Sequence, residues 1–323
     1  MMNIDMDVER LPLRNVSIFS CGAHPALTEQ ICDHLDIRKG KINITYFSDN
    51  ETRIVVDDSV RGSDVYLVQP TSAPTNENIM NLLIILDSIK RASAKNITAV
   101  IPYFGYSRQE KKTKGREPIT AKLIANLLTV AGAQRILTFD LHNIAIQGFF
   151  DIPVDHLSAI PLLCNHIKEK NYGNEFVIVS PDAGGVGRAR AFAKRLDASL
   201  AIIDKRRPKP NHAEMTNVIG DVEGKIAILV DDMIDTAGTI CGASKLLKEN
   251  GAKKVIACAT HPVFSGPAVE RLKNSEIEEV VVTNTIPIKS KLFEKLTVLN
   301  ISPLISEAIY RINHKISIST LFE

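Results

Sequence analysis

Short aliphatic runs alternate along the chain with longer segments whose apolar residues recur at helical spacing. The runs at 97–101 and 226–230 hold no charged residue, which predicts strands buried on both faces of a parallel sheet. The segments at 77–91 and 119–131 each place their apolar residues on one side of a helix. Strands that alternate with helices at these distances need parallel crossovers, so the pattern predicts an α/β fold. The other predicted strands are 16–20, 42–47, 52–56, 64–69, 135–139, 176–180, 199–203 and 254–259, and the other predicted helices are 25–35, 186–196 and 240–250.

The second half of the chain repeats the order of elements in the first half. Ser180 closes a strand about 160 residues after Ser20 does, and the segment 231–236 follows 70–75 by a similar offset. This repeat predicts two similar domains, each a mainly parallel sheet flanked by helices, that arose by duplication. The predicted parts are an N-terminal extension at 1–15, a first domain at 16–155, a second domain at 156–307, and a tail at 308–323 that packs with the first domain.

Composition narrows the function classes. The chain has 323 residues, of which 45% are hydrophobic, and this is enough for two domains with sizeable cores. A net charge of +2 gives no broad basic field for nucleic acid. No signal-peptide pattern or long apolar span is present, so we expect a cytoplasmic protein that does not enter the membrane. The scattered cysteines contain no CxxC pair and predict buried thiols in a reducing compartment; they are Cys21, Cys32, Cys164, Cys241 and Cys258.

The stretch KIAILVDDMIDTAGT at 225–239 contains the strongest candidate site. Asp231 and Asp232 follow the buried run directly, Asp235 comes next, and small residues lead into a helix. Backbone N–H groups of Thr236–Thr239 can hold a phosphate at the helix N-terminus. The two adjacent carboxylates can accept hydrogen bonds from sugar hydroxyls or hold a hydrated Mg2+. The alternative is an acidic turn that only caps the helix, but the carboxyl end of a parallel strand favours a ligand site.

A basic segment, YFGYSRQEKKTKGR at 103–116, follows another buried strand. One interpretation is a polyphosphate clamp in which Arg108 makes a bidentate contact. The alternative is a solvated basic loop, which is the usual fate of a run of charges. The spacing alone leaves both interpretations open.

Two further strand ends carry possible metal ligands. His142 closes the segment Asp140-Leu141-His142, and Asp182 lies in Ser180-Pro-Asp-Ala-Gly-Gly. A histidine from one domain and an aspartate from the other could hold one Mg2+, because this ion keeps most of its water ligands. The alternative for His142 is a buried histidine whose hydrogen bonds are satisfied within the fold.

The segment from 204 to about 224 shows little periodicity and contains two prolines. It is predicted to be a long loop, and a loop of this length in a compact domain is often a functional lid. Three consecutive cations, Lys205, Arg206 and Arg207, suit the neutralisation of charge in a phosphoryl-transfer transition state. The alternative is a surface loop whose Lys and Arg serve solubility.

Through these segments the chain resembles the ribose-phosphate pyrophosphokinase family, also called phosphoribosyl pyrophosphate synthetases, in its phosphate-activated class. The resemblance runs from about Val16 to Phe322, and VDDMIDTAGT is its phosphoribosyl-binding signature. Stretches specific to the synthetases are FSDNET at 47–52, VQPTSAPTNENIMNLLIILDSIKRA at 68–92, PYFGYSRQEKK at 102–112, REPITAKLIANLL at 116–128, FDLH at 139–142, SPDAGGVGRA at 180–189 and DKRRPKPN at 204–211.

The resemblance implies an α/β fold of two phosphoribosyltransferase-like domains and a reaction used in nucleotide biosynthesis. In this family the diphosphoryl group of ATP is transferred to the 1-hydroxyl of ribose 5-phosphate, and the products are 5-phospho-alpha-D-ribose 1-diphosphate and AMP. The implied roles are ATP binding by Phe47, Asp49, Asn50, Glu51, Arg108 and Gln109, Mg2+ binding by His142 and Asp182, ribose 5-phosphate binding by Asp231, Asp232, Asp235, Thr236, Ala237, Gly238 and Thr239, and catalysis by Lys205 and Arg207.

The family also has an allosteric site for inorganic phosphate or a nucleoside diphosphate, between subunits of a homohexamer built as a trimer of dimers. The residues that match its neighbourhood are Ser59, Arg61, Lys112, Lys114, Arg116, Ser317, Ser319 and Phe322. Two departures affect regulation more than catalysis: Thr113 replaces an acid found in many members, and Cys21-Gly22-Ala23 differs from the usual sequence after the first strand.

Two rival functions use parts of the same pattern. A phosphoribosyltransferase would carry the phosphoribosyl signature but would not need the stretches at 47–52 and 106–112. A non-catalytic regulatory homologue should have lost a lid cation or a metal ligand. Since Lys205, Arg207, His142 and Asp182 are all present, the sequence predicts an active enzyme.

Overall fold

A computed structural model describes most of the chain, namely 11–170, Tyr172, 175–209, 212–288 and 291–321, without the side chains of 205–209 and 212–216. Contacts divide it into two compact units. The N-terminal unit comprises 11–158, Thr285–Pro287 and 301–321, and the C-terminal unit comprises Ala159–Asn284 and Ile288–Asn300. The domain bounds given above, at 155 and 307, stay predictions.

Five parallel strands form the main sheet of the N-terminal unit, in the order β1-β4-β5-β6-β7, while β2 and β3 form a separate antiparallel hairpin. The strands are β1 (Val16–Ser20), β2 (Ile42–Tyr46), β3 (Thr52–Val56), β4 (Asp64–Val68), β5 (Asn96–Ile101), β6 (Arg135–Phe139) and β7 (Val154–Leu157). The helices are α1 (Pro25–His34), α2 (Thr75–Arg91), α3 (Thr120–Ala131) and two short 3-10 helices, Ile144–Phe149 and Ser319–Leu321.

The C-terminal unit has a seven-stranded sheet in the order β10-β9-β8-β11-β12-β13-β14, parallel except where β10 meets β9. Its strands are β8 (Phe176–Ser180), β9 (Ser199–Lys209), β10 (His212–Ile219), β11 (Ile226–Ile234), β12 (Lys254–Pro262), β13 (Glu279–Thr283) and β14 (Leu296–Leu299). Its helices are α4 (Ile160–Glu169), α5 (Val186–Leu196), α6 (Gly238–Glu249), α7 (Ala268–Lys273) and the 3-10 turn Ala183–Gly185. The last helix, α8 (Ser302–His314), returns to the N-terminal unit, where the Ser306 hydroxyl donates to the Ile31 carbonyl of α1 at 3.3 Å.

The strand order confirms the predicted fold class. In each unit five parallel strands follow the same order, β1-β4-β5-β6-β7 in one and β8-β11-β12-β13-β14 in the other. In each unit a hairpin is inserted after the first of these strands, β2-β3 or β9-β10. Two similar α/β units with mainly parallel sheets are what the sequence repeat predicted.

Apolar side chains from both faces of β11 fill two separate cores. Ala227 and Leu229 belong to one cluster, and Ile228 and Val230 belong to the other, all at 0% exposure. Alternate residues of a strand point to opposite faces, so the uninterrupted apolar run reflects helices on both sides. The five cysteines are free thiols; four are buried and Cys241 is half-buried.

Several predicted boundaries differ from the structure, and two of these errors bear on the candidate site. The strand predicted to end at Val230 continues to Ile234, because β12 also continues and pairs Asp231 with Ala259 and Met233 with His261. The segment after Ile203 is not a loop but the hairpin of β9 and β10, with Asn217 opposite Asp204 and Met215 opposite Lys205. Pairing between β9 and β10 satisfies the backbone N–H and C=O groups of this segment. Its charged residues do not alternate with apolar ones, so the sequence pattern does not predict a strand here.

Candidate active site

Two adjacent carboxylates lie near the carboxyl end of β11, in the middle of the seven-stranded sheet. Arg188 of α5 reaches both: its Nη1 atom lies 3.3 Å from Asp231 Oδ1 and 3.5 Å from Asp232 Oδ1. The backbone N–H of Asp232 donates to Asp231 Oδ1 at 2.9 Å, and Asp232 is 2% exposed. One guanidinium therefore faces two carboxyl groups.

The electrostatics of the pair favour an incoming donor or cation. Burial, together with the charge and hydrogen bond of Asp232, raises the pKa of Asp231 to about 8, and the Arg188 guanidinium offsets only part of this rise. A raised pKa means that the ionised form of a carboxyl group is destabilised where it lies. Hydroxyl donors of a sugar, or a hydrated Mg2+, would stabilise that form.

The turn after β11 places a helix N-terminus directly after the acidic pair along the chain. Ala237 adopts a left-handed φ of 61° and caps α6, which begins at Gly238. Arg271 of α7 donates from Nη1 to the Thr236 carbonyl at 3.0 Å, and this hydrogen bond ties the turn to α7. Because the first N–H groups of a helix make no bond within the helix, such a turn can bind a phosphate.

No role for Arg188, Arg271 or Lys291 was predicted from the sequence. Arg188 lies within a recognised motif, but it meets an acid 43 residues further along the chain. Lys291 donates to the Val263 carbonyl at 2.6 Å; burial lowers its pKa, and the charge of Asp235 partly restores it. A cation near an acidic cluster is expected on charge grounds, but the spacing of residues along the chain does not show which cation it is.

Asp182 lies at the end of β8, where backbone groups orient its carboxylate. Its Oδ1 atom accepts hydrogen bonds from the N–H groups of Gly184 at 2.9 Å and Gly185 at 3.1 Å. A Cβ on Gly185 would lie 2.8 Å from Ser180 Oγ, so only glycine fits there without a shift. The turn therefore holds an oriented carboxylate at the same edge of the sheet as the acidic pair.

In the N-terminal unit, Arg108 and Gln109 line a cavity of about 270 Å³ with Asn76 and Tyr106. The Tyr106 hydroxyl bonds to Asn76 Oδ1, and the Thr120 hydroxyl donates to Gln109 Oε1 at 2.6 Å. The first turn of α2 and the first turn of α3 thus frame the segment for which the sequence left a polyphosphate clamp and a solvated basic loop as alternatives. The structure brings these two predicted ATP-binding residues to one cavity.

The other predicted ATP residues form the tip of the β2-β3 hairpin. The tip is closed by hydrogen bonds from Phe47 N to Glu51 O at 2.9 Å and from Asn50 N to Phe47 O at 2.9 Å. Phe47 is 54% exposed. The hairpin is tied to α2 because the Tyr46 hydroxyl donates to Glu77 Oε1 at 2.9 Å. Glu77 follows the cavity residue Asn76 directly, so the first turn of α2 links the hairpin tip to the cavity that Arg108 and Gln109 line.

His142 follows β6 in a turn that a second histidine holds. The backbone N–H of Leu141 donates to His156 Nε2 at 2.8 Å, and the Ser158 hydroxyl donates to Asp140 Oδ1 at 2.8 Å. Asp140 has a positive φ of 30°, a conformation that is uncommon for a residue other than glycine. His142 itself is exposed, so the alternative of a buried histidine is wrong. His156 is a supporting residue that sequence analysis missed.

The remaining candidates are placed as follows. The backbone of Lys205 and Arg207 lies in β9, but their side chains fall outside the described residues. Ser59, Arg61, Lys112, Lys114 and Arg116 are exposed. In the described part of the chain no hydrogen bond or ion pair joins these residues to the tail. Arg311 holds the tail by donating to the Ser317 carbonyl at 2.9 Å and to the Thr320 hydroxyl at 2.6 Å, and Phe322 lies outside the described residues.

Comparison with known proteins decides the family. A family model for the N-terminal domain of ribose phosphate pyrophosphokinase matches residues 16–132, and a model for the phosphoribosyl synthetase-associated domain matches residues 206–323. The ribose-phosphate pyrophosphokinase of Bacillus subtilis is 55% identical over 310 residues, which cover 96% of this chain and 98% of that protein. The chain belongs to the ribose-phosphate pyrophosphokinase family. Its identity to the ribose-phosphate pyrophosphokinase of Halalkalibacterium halodurans is 54% with the same coverage.

A solved structure agrees with this family assignment. The crystal structure of phosphoribosylpyrophosphate synthetase from Mycobacterium smegmatis is 46% identical, has a TM-score of 0.89, and covers 94% of this chain and 100% of that chain. The predicted resemblance is therefore confirmed, and so is the enzyme class, ribose-phosphate diphosphokinase. Among the described residues no helix is long and apolar enough to cross a membrane.

The donor set of this pyrophosphokinase suits Mg2+ better than a softer ion. Among the described residues no three His, Cys, Asp or Glu side chains gather into a metal cluster. Mg2+ does not need such a cluster, because it retains waters and takes one or two carboxylates together with phosphate oxygens. The oriented carboxylate of Asp182 and the crowded pair at Asp231 and Asp232 fit that requirement.

Proposed function

We propose that the two units divide one reaction between them, with ATP bound by the N-terminal unit and ribose 5-phosphate bound by the C-terminal unit. The reaction is transfer of the diphosphoryl group of ATP to the 1-hydroxyl of ribose 5-phosphate, which gives 5-phospho-alpha-D-ribose 1-diphosphate and AMP. One observation carries this division: Asp231 and Asp232 lie near the end of β11, shortly before a helix N-terminus, whereas Pro70 and Thr71 stand at the matching place after β4.

The C-terminal unit supplies the acceptor site. Asp231 and Asp232 accept hydrogen bonds from ribose hydroxyls, which stabilises the carboxylates that burial destabilises. Backbone N–H groups of Thr236–Thr239 hold the 5-phosphate at the start of α6, where the helix dipole favours negative charge. Arg188 keeps the carboxylates in place, and Asp235 completes the acidic side of the site.

The N-terminal unit supplies the donor site. Phe47 exposes a ring that can stack on adenine, and Asp49, Asn50 and Glu51 present polar groups beside it at the hairpin tip. Arg108 and Gln109 line the cavity next to the first turn of α2 and contact the triphosphate there. Arginine suits this role because its planar fork makes two parallel hydrogen bonds to phosphate oxygens.

His142 and Asp182 would hold Mg2+, which would neutralise charge on the diphosphoryl group during transfer. Asp182 contributes a carboxylate oxygen whose orientation two glycine N–H groups set. His142 contributes an exposed imidazole on a turn that His156 supports. These two residues lie in different units, so each is proposed on its own local structure.

The chemical step is an in-line displacement at the β-phosphorus of ATP. A bond forms from the ribose 1-oxygen to this phosphorus, the bond from phosphorus to the α,β-bridging oxygen breaks, and AMP leaves. The hydroxyl proton passes to solvent, since the loose transition state of phosphoryl transfer requires little base assistance. Lys205 and Arg207 on the β9-β10 hairpin offset the charge of the transferred group, and positioning supplies the rest.

The product assay tests this function directly. Purified protein with ATP, Mg2+ and ribose 5-phosphate should form AMP and phosphoribosyl diphosphate in equal amounts, and neither should form when ribose 5-phosphate is left out. Release of ADP would overturn the proposal of diphosphoryl transfer. Absence of both products would favour the non-catalytic homologue, while consumption of added phosphoribosyl diphosphate with a nucleobase would favour a phosphoribosyltransferase.

Regulation and assembly follow the family pattern in our proposal. Exposed cations at Lys112, Lys114 and Arg116 support an effector site for inorganic phosphate and a nucleoside diphosphate. A homohexamer would complete that site from several subunits. Sedimentation velocity with and without phosphate tests the assembly, and a protein that stays monomeric while fully active would contradict it.

A further inference from the structure

The N-terminal unit contains a second cavity, of about 650 Å³, at the edge of the sheet opposite the clamp. The first residues of three adjacent strands line it, namely Asp64 of β4, Asn96 of β5 and Arg135 of β6. The C-terminal turn of α8 contributes 312–315 on another side. Cavities of about 300–1,000 Å³ are the usual size for small-molecule sites, and none of the substrate roles proposed above involves this one.

The strand residues that line the bottom of this cavity have polar side chains, although apolar side chains are usual at buried positions of a parallel sheet. Tyr66, Thr98 and Arg135 lie side by side in register across β4, β5 and β6. Tyr66 is 1% exposed and Thr98 is 5% exposed. Buried positions in parallel sheets are normally aliphatic, so three polar side chains in one row line a surface suited to a polar ligand.

Charge at the cavity favours an anion. Arg14, Lys95 and Lys315 line it, and in the described part of the chain none of them forms an ion pair. Among the described residues, Asp64 is the one acidic residue that lines the cavity, and its carboxylate already accepts hydrogen bonds from Asn96 at 2.7 Å and Asn313 at 3.1 Å. The C-terminus of α8 adds roughly half a negative charge, which three formal positive charges outweigh.

A buried imidazole nitrogen at the cavity lacks a hydrogen-bond partner. His314 Nδ1 lies 2.9 Å from the Tyr310 carbonyl, so this nitrogen is the donor, and the ring packs on Tyr310 with centroids 4.2 Å apart. The other ring nitrogen, Nε2, is buried and has no partner within the described residues. Buried polar atoms are nearly always paired, and leaving one unpaired costs about 1–3 kcal/mol. His314 is one of the residues that line the cavity, so a shift of its ring when a ligand binds would give Nε2 a partner.

A phosphate ester satisfies both conditions. Its ionised oxygens attract the three free cations and accept a hydrogen bond from Nε2 of a protonated imidazole. Its P–OH group can instead donate to Nε2 of a neutral imidazole, which an ionised carboxylate cannot do. We propose that the cavity formed by Arg14, Lys95, His314 and Lys315 binds a phosphorylated metabolite of about mononucleotide size, at a site separate from both substrates.

Calorimetric titration of the full chain tests this site. The probe is uridine 5′-monophosphate, with uridine and inorganic phosphate as separate arms that show whether the whole ester is needed. We expect Arg14→Glu/Lys315→Glu to weaken binding of the nucleotide about tenfold or more, and His314→Phe, which keeps the packed ring, to weaken it several-fold. The matched control is Lys168→Glu/Lys194→Glu, which makes the same charge change on exposed positions of the C-terminal unit and should bind like the parent.

The possible results of the titration each bear on a different part of the proposal. Equal nucleotide affinity in the parent and in the cavity variants, or no binding up to millimolar concentration, would overturn the proposal. Equal affinity for uridine would remove the phosphate from it, and binding of inorganic phosphate alone would reduce the ligand to a free anion. Each variant is also assayed for AMP formation, which should be unchanged, so failure of this site and failure of the proposed function give different results.

Discussion

The hydroxyl of Thr71 accepts a hydrogen bond from the backbone N–H of Gly105 at 2.7 Å and donates to the Tyr103 carbonyl at 3.1 Å. Thr71 lies in the loop after β4, and Gly105 lies in the segment that leads to Arg108. A Cβ on Gly105 would lie 2.4 Å from the Thr71 carbonyl oxygen, so the two backbones are in direct contact. The loop that matches the acidic turn of the C-terminal unit thus supports the proposed ATP clamp.

Thr71→Val should weaken ATP binding. Valine keeps the shape of threonine but leaves the buried Gly105 N–H without its acceptor, at a cost of about 1–3 kcal/mol. We expect the KM for ATP to rise about tenfold or more, with the KM for ribose 5-phosphate near the parent value. Steady-state kinetics with each substrate varied in turn measures the difference.

Two controls belong with that variant. Thr71→Ser keeps the hydroxyl and should retain the parent KM for ATP. Thr129→Val removes a hydroxyl of α3 in the same unit, one that donates to the Ala125 carbonyl at 3.0 Å, and should leave both KM values unchanged. An equal rise in both KM values for Thr71→Val would show a general loss of structure and would contradict the specific role.

Lys205→Ala should lower kcat about a hundredfold or more, the scale seen when one transition-state charge stabiliser is removed. The KM values should change little, because the proposed role of this lysine is to offset charge on the transferred group. The control is Lys194→Ala on the exposed side of α5. Near-normal turnover of Lys205→Ala in the AMP assay would remove this residue from the mechanism.

Arg271→Met should raise the KM for ribose 5-phosphate. The lost hydrogen bond to the Thr236 carbonyl is exposed and contributes about 0.5–1.5 kcal/mol, so we expect a rise of roughly twofold to tenfold. Lys273→Met, on the same short helix and also exposed, should have no effect. If Arg271→Met changed only kcat, the arginine would not be positioning the phosphate turn.

Stability should depend on pH through Asp231. Its pKa is raised in the folded protein from the usual 3.8 to about 8, so ionisation favours the unfolded state. The penalty is absent below pH 3.8, grows as pH rises, and is complete above the folded-state pKa. Asp231→Asn should therefore gain stability relative to the parent as pH rises from about 4 to 8, measured by denaturant unfolding at each pH.

Asp221→Asn serves as a control of opposite sign. The Lys225 hydrogen bond lowers the pKa of exposed Asp221, so this carboxylate stabilises the fold above its usual pKa and loses that contribution as pH falls. The parent should accordingly gain stability relative to Asp221→Asn as pH rises toward about 4 and show no further relative change from about 4 to 8. A difference between the parent and Asp231→Asn that did not vary with pH would show that Asp231 titrates normally.

Much of the fold could be predicted from local sequence. The strands β1 and β8 and the helix α5 match the predicted spans, because period and apolar runs depend only on neighbouring residues. The repeat in sequence also predicted two similar units with mainly parallel sheets, which the strand orders confirm. The candidate site was found at strand ends for the same reason, since the carboxyl edge of a parallel sheet is where ligands bind.

Other features depended on residues far apart in sequence. Strand β11 continues past Val230 only because β12 continues beside it. No spacing rule connects Arg188 with Asp231, Arg271 with Thr236, or Thr71 with Gly105. Register and side-chain contact are set when distant segments pack together, so they cannot be read from a local pattern.

The sequence by itself determined the fold class, the family and which acids end the strand at 226–230, because these are encoded in short patterns of apolar, acidic and glycine residues. Only the tertiary structure decided which cation faces those acids and what the altered loop at 70–75 supports. It also decided that α8 returns from the end of the chain to pack against α1. That helix closes one side of the cavity beside His314, and a space enclosed by segments 250 residues apart, Asp64 and His314, exists only once the chain has folded.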